Sequence, residues 1–320
     1  MRYRSFTYIL GSMDVEMASI QTLLKNEKCL VVNATTNGFA EVRSSGAYEA
    51  VEEPSPSTVW IECAPYGGKD LLQSNGAVLI DHHHQGDPGF DKGPEHYMSA
   101  ASIGQLLYFM IRNGYKPNWE SSITDANDGF SYEQRKAVYL TYQGIKYKVP
   151  KEYRYVAAAD HCLANAYKGA CPCVNVQDLK EWRITKLAAF RDIKVESLML
   201  LVQGAEGYLL KCPMINLGEY EVVDARHTRI KNMNEAAARL GLPVLASKVL
   251  CRGDGEKITI QSSNSDIISY FLNIWGPSLG LTGMYGSSYR GIAGGFLHYD
   301  NGGNNDEEAI SEQDKDTNTK

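Results

Sequence analysis

The chain has 320 residues, of which 43% are hydrophobic and 22% are charged, and its formal net charge is −6. This composition is that of an ordinary globular protein, and the length is sufficient for two domains. The acidic balance argues against binding of long nucleic acid. No apolar run reaches membrane-spanning length, and seven scattered cysteines do not form a secreted disulfide framework, so we expect a cytoplasmic protein without a membrane segment.

The first half of the chain alternates short apolar strands with helical segments. Strands are predicted at residues 6–10, 30–33 and 58–61, with a central strand at 77–80. Helices are predicted at residues 17–25, 70–74, 97–113 and 153–168, whereas residues 115–151 show little pattern. Such alternation predicts an α/β fold, in which a parallel sheet carries helices on both faces.

The second half predicts a smaller α/β domain behind a helical connection. Its strands are predicted at residues 203–210, 220–224, 249–252 and 257–261, and its helices at 234–240 and 264–275. The last two strands flank Gly253-Asp254-Gly255-Glu256, which predicts a hairpin. A Gly-rich stretch follows at 276–295. We therefore expect a domain at 1–175, a connecting helix at 176–198, a second domain at 199–300 and a tail at 301–320. The tail is expected to be disordered because it is polar and acidic.

Acidic and imidazole side chains recur where the predicted strands end. Asp14 and Glu16 follow the first strand, Glu62 closes the third, and Asp81-His82-His83-His84 directly follows the central one. In open parallel sheets, ligands bind beyond the carboxyl ends of the strands. Asp160 lies on an apolar helix, where a buried carboxylate needs a partner. A metal centre explains all four groups together, although each alone could be a helix cap or a polar strand end.

Oxygen and imidazole donors without thiolate suit Mn²⁺, Mg²⁺ or Zn²⁺, and Mn²⁺ is natural for a mixed set. Several carboxylates favour a two-metal site, which can activate water and stabilise the leaving oxygen in an in-line displacement at phosphorus. In this interpretation one histidine binds metal, and the next one faces the substrate.

These pieces resemble the DHH phosphoesterase superfamily, which includes RecJ-like exonucleases, phosphodiesterases of small oligonucleotides and cyclic dinucleotides, and manganese pyrophosphatases. The matching segments are Asp14-Val15-Glu16, Glu62, Val-Leu-Ile-Asp81-His82-His83, Ser99-Ala100-Ala101-Ser102 and Val-Ala-Ala-Ala-Asp160. They cover about the first half of the chain. The Asp-His-His segment, with its strand and the following helix, is the most specific of them.

The resemblance implies a metal-dependent phosphoesterase that uses Mn²⁺ or Mg²⁺. Its implied metal ligands are Asp14, Glu16, Glu62, Asp81, His82 and Asp160. His83 would contact the substrate, and a C-terminal Gly-rich loop with Arg290, Gly294 and Gly295 would bind its phosphate. The expected partner is a small phosphate compound such as a nucleotide or short oligonucleotide, and a homodimer is compatible with the sequence.

The sequence also departs from the family pattern. The first motif usually begins with histidine, but no histidine lies at or near Leu10; Glu16 and Glu62 replace aspartates, and the C-terminal glycines precede Phe296 instead of histidine. The alternatives are a protein that keeps the fold and binds a nucleotide or metal without turnover, and a scaffold protein with a vestigial centre.

A separate group of potential ligands lies near Asp160, formed by His161, Cys162, Cys171 and Cys173. A structural zinc ion there is one hypothesis. The Cys-Pro-Cys spacing is tighter than in common zinc sites, which favours the alternative that these side chains belong to the core.

Overall fold

The structure is a computed structural model that describes residues 2–36, 46–123, 129–133, 137–227, 231–249 and 255–299. The expected tail at 301–320, residues 250–252 of the expected strand at 249–252 and the first half of the expected turn at 253–256 lie outside the described residues. The described part forms a two-domain α/β fold: a parallel sheet flanked by helices, and a separate mixed sheet. The predicted fold class is therefore confirmed.

The first sheet has four parallel strands in the spatial order β2-β1-β3-β4. They are β1 (Thr7–Leu10), β2 (Leu30–Asn33), β3 (Thr58–Ile61) and β4 (Val78–Ile80). All four strands were predicted, but the expectation that the last of them is central was wrong. Within the described residues β4 is an edge strand, so the residues that follow it leave the sheet at its border.

The register of the sheet aligns the strand ends. Leu10 pairs with Ile61, and Ile61 pairs with Ile80. The ladder continues one residue further, since the N–H of Gly11 donates to the Ile61 carbonyl at 2.9 Å and the N–H of Glu62 donates to the Ile80 carbonyl at 3.0 Å. The residues that follow β1, β3 and β4 therefore lie side by side at the carboxyl edge of the sheet.

Helices cover both faces of this sheet. The first four are α1 (Val15–Asn26), α2 (Asp70–Ser74), α3 (Tyr97–Ala100) and α4 (Ser102–Arg112). Because side chains alternate along a strand, Tyr8 and Leu10 pack with α1 and α4 on one face, whereas Ile9 and Trp60 pack against Leu72 of α2 on the other. The core is thus built from both faces of β1 and β3.

The helix expected over residues 97–113 is broken at Ala101, whose backbone is extended with φ −63° and ψ 148°. The break brings the Met98 carbonyl into the space beside Gly104, where a Cβ would lie 1.6 Å from that oxygen. The single-helix prediction was therefore wrong. The break gives α4 a new N-terminus, formed by Ser102 and Ile103, at the carboxyl edge of the sheet.

Gly104→Ala should lower the free energy of unfolding by about 1–3 kcal/mol, because the added Cβ must push the Met98 carbonyl out of a packed turn. Gly204 provides a matched control, because it also lies in a helix and no atom lies within 4 Å of the Cβ that alanine would add. Gly204→Ala should stabilise the protein by about 0.5–1 kcal/mol. Urea unfolding measures both effects, and equal effects of the two substitutions would contradict this account of the break.

The stretch expected to lack a pattern contains an antiparallel sheet of four strands, in the order β5-β8-β7-β6. They are β5 (Ser121–Ile123), β6 (Gly129–Glu133), β7 (Ala137–Tyr142) and β8 (Ile145–Lys148). Val138 and Leu140 of β7 join the core of the first domain. The sequence signal was missed because these strands are short and their alternation is weak.

Three helices connect the two large sheets: α5 (Lys151–Tyr167), α6 (Val176–Phe190) and α7 (Val195–Leu209). The strand expected at 203–210 is therefore wrong, and the expected connection at 176–198 covers α6 and the start of α7. The buried residues Leu198, Val202, Ala205 and Leu209 of α7 are spaced three to four apart, as on one face of a helix. None of the helices in the described ranges has both the length and the apolar character needed to cross a bilayer.

The second domain contains a mixed sheet in the order β13-β14-β12-β11-β10-β9. Its strands are β9 (Met214–Leu217), β10 (Tyr220–Ala225), β11 (Val244–Val249), β12 (Gly255–Gln261), β13 (Thr282–Ser287) and β14 (Ile292–His298). Its helices are α8 (Met233–Leu240), α9 (Ser265–Tyr270) and α10 (Gly276–Ser278), and a π-helical turn joins the last two. Antiparallel pairing of β11 with β12 agrees with the predicted hairpin.

The turn between β13 and β14 joins the second domain to α5 of the first. Asn165 on α5 donates to the Tyr289 carbonyl at 3.0 Å. The Ser262 N–H donates to the Gly291 carbonyl at 2.9 Å, and Gly291 has φ +73° with no room for a Cβ against the Ser262 carbonyl. The turn is thus held from two sides, and it carries Arg290 towards the first domain.

Candidate metal centre

Four side chains from four different elements meet at the carboxyl edge of the first sheet. They are Glu16 in the first turn of α1, Glu62 after β3, His82 after β4 and Asp160 on α5. One ligand atom of each lies within 4.8 Å of the corresponding atoms of the others, so the group could hold a metal ion. The structure thus brings together four of the six predicted ligands.

His82 has the central position in this group. Its Nε2 lies 3.1 Å from Asp160 Oδ2 and 3.4 Å from Glu62 Oε1, and the ring is fully buried. Burial and the Arg290 guanidinium oppose a charge on the ring, but the two carboxylates outweigh them and raise the pKa of His82. Nε2 of His82 is thus the ring atom that faces both carboxylates.

The N-terminus of α4 holds two of the carboxylates. The Ser102 hydroxyl donates to Glu62 Oε1 at 2.7 Å, and the Ile103 N–H donates to Glu16 Oε1 at 2.8 Å. Both contacts depend on the break at Ala101, which exposes these donors. They fix one oxygen of each carboxylate: the contact to Glu16 leaves its Oε2 for the centre, whereas the fixed Oε1 of Glu62 itself faces His82 Nε2.

The second oxygens of the acids provide a test of whether a cation fits. Glu16 Oε2 and Asp160 Oδ2 are buried, and no hydrogen-bond donor with acceptable geometry reaches either of them within the described ranges. The two carboxyl groups face each other, which requires either a shared proton or a cation between them. Burial and the negative charges of Asp160 and Glu62 raise the pKa of Glu16 well above its ordinary value. The donor set therefore fits a divalent cation.

Backbone geometry brings Glu62 into the centre. Its φ is +52°, in the left-handed region that residues with a Cβ seldom adopt. Gly11 of the neighbouring strand end packs so closely that a Cβ there would lie 2.3 Å from the Glu62 carbonyl. Burial would raise the pKa of Glu62, but the rings of His83 and His82 lower it. A carboxylate in this position remains ionised and available to a cation.

Asp81 is not part of this group. Its Oδ1 accepts the N–H of His82 at 2.7 Å and Nδ1–H of His83 at 2.8 Å, and its Oδ2 accepts the Tyr48 hydroxyl at 2.9 Å. Despite burial, hydrogen bonding and the charges of His83 and Lys69 hold the pKa of Asp81 well below its ordinary value. Successive side chains at a strand end point in opposite directions, so His82 faces the centre and Asp81 faces away from it.

A second candidate group, Asp81, His84 and Asp87, also has ligand atoms within 4.8 Å of one another. The Lys69 ammonium lies among them, 2.5 Å from Asp87, 3.3 Å from Asp81 and 3.4 Å from His84 Nδ1. Burial and this ammonium lower the pKa of His84. A side-chain cation therefore already lies in this group and offsets part of its negative charge.

His83 lies between the two groups. Because a carboxylate accepts a hydrogen bond from its Nδ1, the ring presents Nε2 on its other side. The ring, together with Glu62 and His82, forms a further set of atoms within 4.8 Å. The side chain is 30% exposed, against 0% for His82, so His83 connects the buried centre with solvent.

Asp14 lies beside the centre but outside the tight group. Its Oδ1 accepts the N–H of Met17 at 2.8 Å and thereby caps α1, which begins two residues earlier than predicted. Burial and the charges of Asp160 and Glu62 raise its pKa to about 7. Leu10, near which the resemblance implies a histidine, is fully buried in the apolar core. This side of the centre therefore offers fewer ligands than the resemblance implies.

Asp14→Asn should flatten the pH dependence of the stability of the metal-free protein. Because the pKa of Asp14 is higher in the native than in the unfolded state, its contribution to stability is present at low pH and is lost as the pH rises from about 4 to about 7. Asparagine keeps the cap but cannot titrate. Urea unfolding across this range, with a chelator present, measures the difference. Asp192→Asn at an exposed turn is the control, and equal slopes for Asp14→Asn and wild type would contradict the assignment.

Arg290 reaches the centre from the second domain. It is 6% exposed, and its guanidinium faces the His161 carbonyl at 3.4 Å, the His82 carbonyl at 3.5 Å and His82 Nε2 at 3.4 Å. These contacts are long, and none of the ion pairs found in the described ranges involves Arg290. A buried guanidinium with weak partners beside a cation site is suited to bind an anionic ligand.

Gly294 and Gly295 lie in β14, not in a loop. They pair with Thr259 and Ile258 of β12, and the Gly-rich stretch forms the hairpin of β13 and β14. A Cβ on Gly294 would lie 2.3 Å from the Tyr285 hydroxyl. The prediction that these glycines lie in a loop was therefore wrong. Gly294 instead leaves room for the Tyr285 side chain to pack against β14.

The group of histidine and cysteines near Asp160 separates into two parts. His161 turns to His82, whereas Cys162 and Cys171 face each other in the core with their sulfur atoms 3.3 Å apart. None of the candidate metal groups in the described residues contains a cysteine. The hypothesis of a zinc site that combines His161 with the cysteines thus has no support.

Sequence reasoning missed several residues that shape the centre. Ser102 lies in a segment that the resemblance includes but to which it gives no role. His161 directly follows Asp160, and this adjacency was the available signal. Lys69 and Tyr48 carry no local signal, because both reach Asp81 only through the tertiary fold.

Comparison with known proteins gives little further information. No family model matches the chain, and no curated protein matches it. Among solved structures, one similar chain is PggH, a pGpG-specific phosphodiesterase from Vibrio cholerae, with 9% identity, a TM-score of 0.40, and coverage of 92% of this chain and 93% of that one. A likeness this distant does not assign an activity or a substrate.

Proposed function

We propose that this chain is a metal-dependent phosphoesterase that hydrolyses a small phosphate ester, in particular a nucleotide or a short oligonucleotide. The observation that supports this most is the buried group of Glu16, Glu62, His82 and Asp160, next to the guanidinium of Arg290. A cation site beside a buried, weakly paired guanidinium is what binding and hydrolysis of a phosphate ester require.

Glu16, Glu62, His82 and Asp160 would hold the cation. Three carboxylates and one imidazole, without thiolate, favour Mn²⁺ or Mg²⁺. When bound, such an ion would polarise a phosphoryl oxygen and lower the pKa of a water molecule. Asp14, whose pKa is about 7, lies close enough to Asp160 and Glu62 to interact with their charges, and we propose it as an additional or water-mediated ligand.

His83 and Arg290 would act on the substrate. The Asp81 carboxylate orients the His83 ring through Nδ1–H, so that Nε2 can contact a phosphoryl oxygen at the partly exposed side of the centre. Arg290 can exchange its long contacts to neutral atoms for charge-assisted hydrogen bonds to phosphate. Asp81 then acts as an orienting residue and not as a ligand.

The test is a hydrolysis assay on protein stripped with a chelator and reloaded with Mn²⁺ or Mg²⁺. The substrates are a generic phosphodiester, dinucleotides and short oligonucleotides, and metal per chain is measured by elemental analysis. We expect metal-dependent turnover of at least one of these substrates. A metal-loaded protein that hydrolyses none of them would contradict the proposal.

A second candidate is a protein that binds a nucleotide or metal without turnover. It is favoured by the apolar Leu10 in place of a histidine and by the position of Asp14 outside the tight group. Calorimetry that shows nucleotide binding without product formation over hours would support it. Absence of both metal and nucleotide binding would instead favour a vestigial centre.

A further inference from the structure

His161 contacts no candidate substrate position, yet it is fully buried against the centre. Its Nε2 lies 2.8 Å from the Lys92 carbonyl, and its Nδ1 lies 3.2 Å from His82 Nδ1. The two rings are nearly parallel, with an interplanar angle of 27°. His161 therefore lies between a backbone carbonyl and the central imidazole of the proposed metal site.

The carbonyl determines the tautomer of His161. A carbonyl oxygen only accepts hydrogen bonds, so the proton of His161 must lie on Nε2 and be donated to Lys92. A second proton, on Nδ1, would make the ring a fully buried cation beside the Arg290 guanidinium, which is unfavourable. A neutral ring with its proton on Nε2 has a bare Nδ1, which can only accept.

The same reasoning extends to His82. Because Nδ1 of His161 is an acceptor, Nδ1 of His82 must carry the proton that joins the two rings. When a cation is bound, the lone pair of His82 Nε2, which faces Glu62 and Asp160, is then available to it. The guanidinium of Arg290, which can only donate, lies 3.4 Å from this Nε2 and is compatible with that assignment.

We propose that His161 is a positioning residue that fixes the tautomer of His82, so that Nε2 of His82 is presented to the metal. This inference rests on the proposed function, because it concerns a ligand of the proposed metal. The positions of the protons can nevertheless be tested without measuring turnover. Metal-binding histidines commonly donate their second N–H to a carboxylate or a carbonyl. Here the acceptor is the neutral imidazole of His161, whose own orientation is fixed by its hydrogen bond to the Lys92 carbonyl.

Two substitutions distinguish the hydrogen-bond acceptor of His161 from the volume of its ring. His161→Phe keeps a planar ring but removes both nitrogens. His161→Asn places an amide oxygen close to the position of Nδ1 and can still accept from His82. His298→Asn, at an exposed residue of β14, is the control for loss of a histidine.

The experiment uses ¹⁵N-labelled protein loaded with Mg²⁺, which is diamagnetic. In wild type we expect the proton of His82 on Nδ1, with a ¹⁵N–¹⁵N coupling across the bond to His161. His161→Phe should lose this coupling and bind Mn²⁺ roughly 10- to 100-fold more weakly by calorimetry. His161→Asn should recover most of the affinity, and His298→Asn should match wild type.

Two outcomes would overturn the proposal: absence of the Nδ1 proton of His82, or of its coupling to His161, in Mg²⁺-loaded wild type, or wild-type Mn²⁺ affinity in a folded His161→Phe protein. If His161→Phe does not fold, the wild-type NMR spectrum and the Mn²⁺ affinity of His161→Asn still test the proposal. Failure of the phosphoesterase proposal alone gives a different result: His82 would have the expected tautomer, but none of the phosphate esters would be hydrolysed.

Discussion

Asp160→Asn should lower metal-dependent hydrolysis by about 10³-fold or more, because the amide removes a charged ligand from a site whose cation contributes several kcal/mol to the transition state. Asparagine has nearly the same shape as aspartate, so the packing of α5 should be retained. The Asp160 carboxylate lies 3.1 Å from His82 Nε2 and faces Glu16, so its loss affects the whole group. Mn²⁺ binding by calorimetry should weaken together with activity.

Asp192→Asn is the matched control for Asp160→Asn, since it makes the same chemical change at an exposed turn after α6. It should keep wild-type activity and wild-type metal affinity. If Asp160→Asn bound Mn²⁺ as tightly as wild type, Asp160 would not be a ligand. If the metal affinity fell while activity persisted, hydrolysis would not depend on this centre.

Arg290→Ala should lower hydrolysis by roughly 10²- to 10³-fold, the usual effect of removing one donor to a developing oxyanion. The reason is that Arg290 contacts neutral atoms and so remains available to phosphate. Unlike Asp160→Asn, it should not weaken Mn²⁺ binding, because the guanidinium repels a cation and lies 3.4 Å from the same Nε2 of His82. Steady-state kinetics and calorimetry on the same preparation separate the two effects.

Arg290→Lys should recover only part of the activity, because a single ammonium cannot reproduce the two parallel hydrogen bonds of a guanidinium to phosphate. Arg2→Ala, at an exposed position, is the control for loss of an arginine. Urea unfolding of both Arg290 variants shows whether the junction between the domains is intact. Wild-type kinetics in a folded Arg290→Ala protein would exclude a role for Arg290 in binding or turnover.

Together the two substitutions test the two halves of the proposed site. Asp160 belongs to the first domain, and Arg290 comes from the turn between β13 and β14 of the second. We expect only the first substitution to weaken metal binding, whereas both should reduce turnover. This difference follows from charge: one residue attracts the cation, and the other repels it.

Much of the first domain could be predicted because its signals are local. The strands at 30–33 and 58–61 and the short helix at 70–74 have the expected bounds. The strand ends bring Glu62 and His82 close together through the register of β3 and β4. Asp160 could be placed near them because a carboxylate on an apolar helix needs a partner.

Errors occurred where side-chain and backbone packing, which periodicity does not report, decides local structure. The break at Ala101 requires a glycine at position 104, because the Met98 carbonyl occupies the space where a Cβ would lie. The helical form of residues 203–209 depends on burial of one face of α7. The Gly-rich segment forms strands because Tyr285 and Met284 occupy the space that glycine side chains leave empty. Composition alone favours a loop in such a stretch.

The sequence by itself determined the α/β class of this protein and the carboxylates and imidazoles that follow its strands, because short-range periodicity sets strand ends. Only the tertiary structure decided that His82 turns inward while Asp81 turns to Lys69, and that Arg290 and His161 approach the same imidazole. The physical reason is that the direction of a side chain beyond a strand end, and the partner that it meets, depend on contacts between residues far apart in the chain. Periodicity and spacing carry no information about such contacts.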